Sequence, residues 1–198
     1  MPNEIHMRFL EQVLTPKRLE HSLGVMQVMG ELAGVYRFDK EQAQTIGLLH
    51  DAGKDLSPAV QAKLVAEGKI KIRYECENDY TYYLHGPVGS YFVRRELGIT
   101  HRLVLDAITS HTYCGNGRNF NHPVCWCLRF ADLLEPNRNW SAWQWLQESV
   151  DQLRVIVYAG RLEEGAIHHT SMLIRWFGEQ GLPVHPNMLR VPQGFTSR

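Results

Sequence analysis

Apolar residues recur along most of the chain at the three- and four-residue spacing of an α-helix. No stretch alternates between apolar and polar residues for long enough to predict a β-strand with confidence. The pattern therefore predicts an all-α fold, in which each helix buries one apolar face. Proline in the first turn and glycine at the end mark several helices. The predicted helices cover residues 3–14, 16–36, 39–52, 57–67, 86–97, 101–112, 123–134, 140–158 and 161–178.

Two segments lack the helical spacing. Residues 68–83 are polar and aromatic, which predicts a loop that covers another part of the molecule. Residues 181–198 contain three prolines, so an extended tail is expected there. No internal repeat or long linker divides the chain, and residues 1–198 are therefore interpreted as a single domain.

Composition narrows the function classes. The chain has 198 residues, of which 44% are hydrophobic and 21% charged, so a disordered protein is excluded. Lys plus Arg and Asp plus Glu are 21 each, which argues against a nucleic-acid-binding surface. No apolar run approaches the ~20 residues of a membrane span. No signal peptide is recognisable, and the four cysteines include no C-x-x-C pair. We therefore expect a cytoplasmic protein with reduced thiols and no membrane partner.

Six ionisable residues share the apolar faces of five predicted helices. One buried histidine is usually a core residue that bonds a carbonyl group, but a buried carboxylate is costly unless it is paired or binds a cation. Neutral imidazoles and carboxylates are ligands that suit divalent iron, manganese or zinc. Together they favour a metal site at the centre of a helical bundle. The candidate ligands are His21, His50, Asp51, His85, His111 and Asp132.

The segments around these positions also follow one another in a characteristic order. His21 lies in Arg-Leu-Glu-His-Ser-Leu-Gly-Val, His50-Asp51 in Gly-Leu-Leu-His-Asp-Ala-Gly-Lys-Asp, and Asp132 in Ala-Asp-Leu-Leu-Glu-Pro-Asn-Arg. Over residues 17–190 the chain resembles the HD superfamily of metal-dependent phosphohydrolases. Within that superfamily it resembles the YqeK-type symmetrical bis(5'-nucleosyl)-tetraphosphatases. Residues 131–138 are the most specific part of the resemblance.

This resemblance implies an HD-domain helical bundle around two divalent metal ions, with iron expected and manganese or zinc as alternatives. It implies that the six candidate residues are the ligands and that Asp51 bridges the two ions. The implied substrate is diadenosine tetraphosphate, a small-molecule nucleotide. Attack by a metal-activated water between its second and third phosphorus atoms gives two ADP. A homodimer is left open.

Residues beside the ligands supply further candidates. Lys54 is expected to reach phosphate, and Asp55 is expected to orient Lys54 or a water molecule, so both are assigned to catalysis. Arg138, Arg118 and Glu135 are assigned to substrate binding, with Glu135 acting mainly by positioning Arg138 or the turn. Residues 113–120 depart from the family pattern, which bears on substrate preference. The loop aromatics Tyr74, Tyr80, Tyr82, Tyr83 and Tyr113 are candidates for stacking on adenine.

Three alternative functions remain open from the sequence. The first is an HD phosphohydrolase that acts on another nucleotide, such as a deoxynucleoside triphosphate, a 5'-nucleotide or a cyclic nucleotide. The second is a di-iron oxygenase, against which Lys54 and Arg138 argue because both suit phosphate. The third is a nucleotide-binding or scaffolding protein without catalytic activity, against which the complete ligand set argues.

Overall fold

The structure is a computed structural model that describes residues 3–115 and 119–196, with side chains described up to residue 191. Within these ranges all regular structure is helical, which confirms the predicted all-α class. No helix among the described residues is long and apolar enough to cross a membrane. The α-helices are α1 (Glu4–Val13), α2 (Pro16–Tyr36), α3 (Lys40–Leu49), α4 (Pro58–Glu67), α5 (His85–Leu97), α6 (Arg102–Ser110), α7 (Pro123–Leu134), α8 (Gln144–Tyr158), α9 (Leu162–Glu179) and α10 (Pro186–Thr196).

The bundle is built around α2 and α7. Helix α2 packs along α3 and against α7, and α7 also contacts α6, α8 and α9. Nearly every residue of α7 is buried, as expected for a helix surrounded by others. The apolar faces of α2, α3, α5, α6 and α7 therefore meet in one interior, and this interior holds the six candidate ligands.

A tight turn follows α3. The predicted helix 39–52 ends at Leu49, because the next backbone hydrogen bonds run from Ala52 N to Leu49 O and from Lys54 N to Asp51 O. These bonds span three residues instead of four, so the chain tightens here. His50 and Asp51 consequently lie at the end of a buried helix and face the interior.

Helix α5 crosses this turn at close range. A Cβ atom added at Gly53 would lie 2.9 Å from both Cα and N of Gly89 and 3.0 Å from the carbonyl oxygen of His85. Each of these contacts is with backbone, which cannot rotate away as a side chain can. Glycine at position 53 is therefore a packing requirement that sets the distance between the turn and α5.

The expectation of an extended tail over residues 181–198 is wrong, because helix α10 covers Pro186–Thr196. Pro186 occupies the first turn, where proline is favourable because its missing N–H has no helical acceptor. Met188 and Val191, three positions apart, are both buried and fasten this helix to the core. The segment 68–83 likewise contains a 3₁₀ turn (Glu75–Asn78) and a π-helical turn (Tyr80–Leu84).

The C-terminal segment clasps the loop that follows α6. Tyr113 is buried with a φ of 65°, a left-handed conformation that costs energy for a residue with a side chain. The Asn187 side-chain amide donates to the carbonyl oxygens of Tyr113 and Gly115, at 2.9 and 2.7 Å. The Tyr113 hydroxyl lies 2.8 Å from His169 Nδ1. These contacts hold the strained loop in place.

His169 makes the metal-free protein sensitive to acid. Burial, aided by the charge of Arg129, lowers the pKa of His169 to about 3, against about 6.5 in an unfolded chain. Between these pH values the imidazole of His169 binds a proton in the unfolded state but not in the folded state. The free energy of unfolding therefore falls as the pH drops below about 6.5. His169→Gln should flatten the slope of unfolding free energy against pH by about 1.4 kcal/mol per unit. Urea denaturation between pH 4.5 and 7 measures this slope, and an unchanged slope would contradict the assignment.

Candidate metal centre

The four candidate histidines all direct their Nε2 atoms into the shared interior, and each Nδ1 atom has a partner behind the ring. An Nδ1–H that donates to such a partner leaves Nε2 as the free lone pair in the neutral imidazole. The partners are the carbonyl oxygens of Gly47 for His50, Ile108 for His111 and Tyr80 for His85, and Glu135 Oε1 for His21, at 2.6 to 3.1 Å. This arrangement prepares all four rings for ligation.

The ligand atoms fall into two adjacent groups. In the first group, Asp132 Oδ1 lies 3.0 Å from His21 Nε2 and 3.9 Å from His50 Nε2. In the second group, His85 Nε2 lies 3.1 Å from His111 Nε2. The six residues that the sequence analysis singled out are therefore brought together from helices α2, α5 and α7 and from the ends of α3 and α6.

Asp51 lies between the two groups and faces both. Its Oδ1 atom is 3.3 Å from His85 Nε2 and 3.6 Å from His111 Nε2. Its Oδ2 atom is 3.7 Å from His50 Nε2 and 3.8 Å from His21 Nε2. One carboxylate oxygen toward each group is the arrangement that a bridging ligand requires.

These residues fit a pair of divalent cations. His50 Nε2 is buried and has no hydrogen-bond partner among the described residues, which is costly for a polar atom unless a ligand supplies one. Burial lowers the pKa of His50 to about 3, and burial with the charge of Lys54 lowers the pKa of His85 to about 4. Both rings are therefore neutral near pH 7, as ligation requires. Four imidazole nitrogens and two carboxylates suit iron, manganese or zinc.

His21 behaves differently in the metal-free chain. Burial opposes its protonation, but hydrogen bonds with Asp132 and Glu135 outweigh burial and raise the pKa of His21 to about 9. The pKa of Asp132 is well below its usual range, because Arg138 and His21 outweigh the effect of burial. A cation that binds the first group must therefore displace a proton from His21.

Glu135 supports His21 from behind and does not reach the cavity. It is buried, and its Oε2 atom accepts a hydrogen bond from Asn137 N at 2.7 Å. A Cβ atom added at Gly24 would lie 2.4 Å from Oε2, so the glycine makes room for this carboxylate. Glu135 was assigned to substrate binding, mainly by positioning Arg138 or the turn; the structure shows it holding the turn at Asn137 and also orienting a ligand ring.

Glu135→Gln should weaken metal binding while preserving the fold. The amide keeps the shape but loses the charge that holds His21, and loss of such a partner typically costs ~10–100-fold in metal affinity. Titration of metal-free protein with Mn²⁺ measures this change, and Glu148→Gln, at a position that pairs only with Gln144 on α8, is the matched control. Equal affinity in the two variants would exclude the supporting role.

A cavity of about 260 Å³ opens onto the ligand groups. Its charged end contains Arg18, Lys54 and Arg138 beside Asp51 and Asp132. Arg18 Nη1 donates to Asp51 Oδ2 at 3.1 Å, and Arg138 Nη2 donates to Asp132 Oδ1 at 2.6 Å. The Lys54 ammonium lies 3.2 Å from His85 Nδ1 and donates to the carbonyl oxygen of Thr81. Three cations thus surround the candidate metal positions.

The other end of the cavity is lined by rings. Tyr82, Trp176 and Phe177 form an aromatic wall, with ring centroids 5.3 to 6.4 Å apart. Leu146 and Leu173 extend this surface. Tyr82 was a stacking candidate from the sequence, whereas Trp176 was missed because helix α9 carries no recognisable motif around it.

The remaining sequence candidates lie elsewhere. Asp55 Oδ2 accepts hydrogen bonds from the backbone N–H and the hydroxyl of Thr15, both at 2.9 Å, so it anchors the start of α2. Asp55 does not line the cavity. Arg118 lies outside the described residues. Arg18 was missed, although its place three residues before His21 on one face of α2 is a usable signal.

Comparison with known proteins gives a consistent picture. The HD domain family model matches residues 18–158. A symmetrical bis(5'-nucleosyl)-tetraphosphatase from Bacillus subtilis is 28% identical over 187 residues, covering 94% of each chain. One of the same name from Halalkalibacterium halodurans is 32% identical over 136 residues, 67% of this chain and 68% of that protein. A solved structure from Clostridium acetobutylicum, described as a predicted HD superfamily hydrolase involved in NAD metabolism, has a TM-score of 0.83. It is 28% identical, and the match covers 98% of this chain and 97% of that one.

Proposed function

The chain belongs to the HD domain family of hydrolases, and on this premise we propose that it cleaves diadenosine tetraphosphate symmetrically to two ADP. The observation that carries the proposal is the position of Asp51, which turns one oxygen toward each of two ligand groups beside three cations. Relatives that match most of this chain carry the name of this activity. The charged end of the cavity suits a polyphosphate.

The proposed cofactor is a pair of divalent ions, with iron first and manganese or zinc as alternatives. His21, His50 and Asp132 would hold one ion, His85 and His111 the other, and Asp51 would be shared. When bound, the ions supply activation of water and neutralisation of charge on the phosphates. The donor atoms suit all three metals, the resemblance to the family puts iron first in this proposal, and metal analysis of purified protein tests it.

The side chains of the charged end would hold the phosphate chain. A guanidinium group can donate two parallel hydrogen bonds to a phosphate, and this geometry suits Arg138 and Arg18. Lys54 supplies a compact positive charge near His85. Hydrolysis adds the oxygen of water to the second or third phosphorus and breaks the bridging P–O bond between them. The electron pair stays on the departing oxygen, and both products are ADP.

Arg138→Ala should keep the metal and lose catalytic efficiency. Loss of a charged hydrogen bond of ~2 kcal/mol corresponds to a decrease in kcat/KM of about 30-fold. Arg8→Ala, which removes an exposed arginine that pairs only with Glu4, is the control. Steady-state kinetics and metal analysis on the same preparations make the comparison. Loss of metal in Arg138→Ala would assign this residue to the metal centre instead of the substrate.

The direct test is anaerobic incubation of protein loaded with ferrous iron or manganese with diadenosine tetraphosphate. ADP as the sole product, lost when a chelator is added, is the expected result. AMP together with ATP would contradict the symmetric cleavage. Absence of product from protein with verified metal content would contradict the proposed substrate, and other nucleotides and oxygen consumption would then be measured.

A further inference from the structure

The cavity has two chemically different ends, and the proposed function uses only the charged one. Among the described lining residues, acidic groups occur only at the charged end, where Asp51 and Asp132 lie. The rest of the lining includes the aromatic wall, Tyr82, Trp176 and Phe177, and aliphatic side chains. It also includes Arg129 and His169, whose nitrogens already bond backbone carbonyl groups and the Tyr113 hydroxyl. A substrate that fills both ends must therefore carry phosphate at one end and a flat apolar group at the other.

The aromatic wall selects one part of the proposed substrate. Phosphate groups gain nothing from aromatic and aliphatic surfaces, because they lose hydration without finding donors. A nucleobase has a π-face on which rings stack favourably. Of the groups in a dinucleoside tetraphosphate, only the base fits the aromatic wall.

The size of the cavity limits how many nucleosides it can enclose. Its volume of about 260 Å³ lies below the ~300–1,000 Å³ of typical sites for drug-sized ligands. A dinucleoside tetraphosphate is larger than such a ligand, so this volume encloses only part of it. One base against the aromatic wall, with phosphates at the charged end, is the part of the substrate assigned to this cavity.

We propose that the cavity reads one nucleoside of the substrate, and that the chain therefore also hydrolyses nucleoside 5'-tetraphosphates. This inference rests on the proposed function. In adenosine 5'-tetraphosphate, water adds to the second or third phosphorus and the bridging P–O bond between them breaks. The electron pair stays on the departing oxygen, and the products are ADP and pyrophosphate. The second nucleoside of a dinucleotide contributes little to recognition.

Three substrates test the proposal on the metal-loaded enzyme: diadenosine tetraphosphate, adenosine 5'-tetraphosphate and linear inorganic tetraphosphate. We expect kcat/KM for the two nucleotides to agree within about tenfold. Inorganic tetraphosphate should fall at least tenfold below adenosine 5'-tetraphosphate, because stacking on aromatic side chains contributes about tenfold or more per base. A value for adenosine 5'-tetraphosphate more than tenfold below that for the dinucleotide would overturn the proposal, since both nucleosides would then be read.

Substitutions in the aromatic wall provide a measurement that does not depend on turnover. Trp176→Leu removes the ring and keeps an apolar side chain, and it should weaken ADP binding to metal-loaded protein about tenfold. Pyrophosphate affinity and metal content should stay unchanged, and Trp176→Phe should restore most of the ADP affinity. Trp143→Leu, at an exposed position just before α8, is the matched control. If Trp176→Leu and the control bound ADP with equal affinity, the aromatic wall would not be the binding site of the base.

The two arms separate failure of this inference from failure of the proposed function. If neither nucleotide is hydrolysed by metal-loaded protein, the proposed activity and the additional one are both wrong. A selective loss of ADP affinity in Trp176→Leu would then still assign a nucleobase to the aromatic wall. If only the dinucleotide is hydrolysed, the proposed function is supported, and the proposal that the cavity recognises a single nucleoside is wrong.

Discussion

Asp51→Asn should abolish hydrolysis and leave the protein with fewer than two bound metal ions. Asparagine keeps the shape of the side chain but replaces one carboxylate oxygen with an amide nitrogen, which cannot ligate a cation. Because the two oxygens of Asp51 face different ligand groups, either orientation of the amide removes a ligand from one of them. Loss of several kcal/mol of charge stabilisation in the transition state lowers kcat by about a thousandfold or more.

Metal analysis and kinetics on one preparation measure this effect. Asp151→Asn, which removes an exposed carboxylate that accepts only from Gln147, is the matched control and should keep full activity. Circular dichroism on both variants establishes that the fold is intact. If Asp51→Asn bound two ions per chain and turned over substrate at the wild-type rate, Asp51 would not be a ligand of the metal centre.

Gly53→Ala should destabilise the protein by about 3 kcal/mol, near the upper end for an overpacked core. The added methyl group would lie 2.9 Å from backbone atoms of Gly89, and no rotation of a side chain can relieve that contact. The turn and helix α5 must therefore move apart. Because Asp51 and His85 lie on these two elements, metal affinity should fall together with stability.

The same substitution at Gly34 should change the free energy of unfolding in the opposite direction. Apart from its own helix backbone and chain neighbours, no atom of the described residues lies within 4 Å of a Cβ atom built at Gly34, which is inside helix α2. Alanine there should stabilise the fold by ~0.5–1 kcal/mol, because glycine loses more backbone entropy on folding. Denaturant unfolding of both variants makes the comparison. Equal free energies of unfolding for Gly53→Ala and Gly34→Ala would contradict the close approach of α5 to the turn.

The six candidate ligands could be picked out of the sequence because each lies on the apolar face of a helix or within two residues of its end. His21 and Val25, for example, are one turn apart on α2 and are both buried. The helical period alone therefore indicates that the imidazole faces the interior. The neighbouring motifs then suggested how the separate helices meet, which periodicity cannot provide.

The errors came from positions where partners far along the chain decide the structure. Glu135 follows α7 and could not be distinguished from an exposed residue by its spacing, but Gly24 on α2 leaves room for it beside His21. Helix α10 was missed because the prolines in this segment indicated an extended chain more strongly than its short apolar stripe indicated a helix. Its stability comes from Met188 and Val191, which bury against distant helices, so local propensity underestimates it.

The clasp formed by Asn187 also sets an order of events during synthesis. Its two acceptors, the carbonyl groups of Tyr113 and Gly115, lie 74 and 72 residues earlier in the chain. At typical elongation rates the ribosome takes on the order of ten seconds to add that many residues. For the part of this interval that follows synthesis of α7, the loop after α6 lacks the hydrogen bonds from Asn187, although the helices that carry the six candidate ligands have already been made. The loop beside the candidate ligand His111 is thus fixed only when the last helix of the described chain arrives.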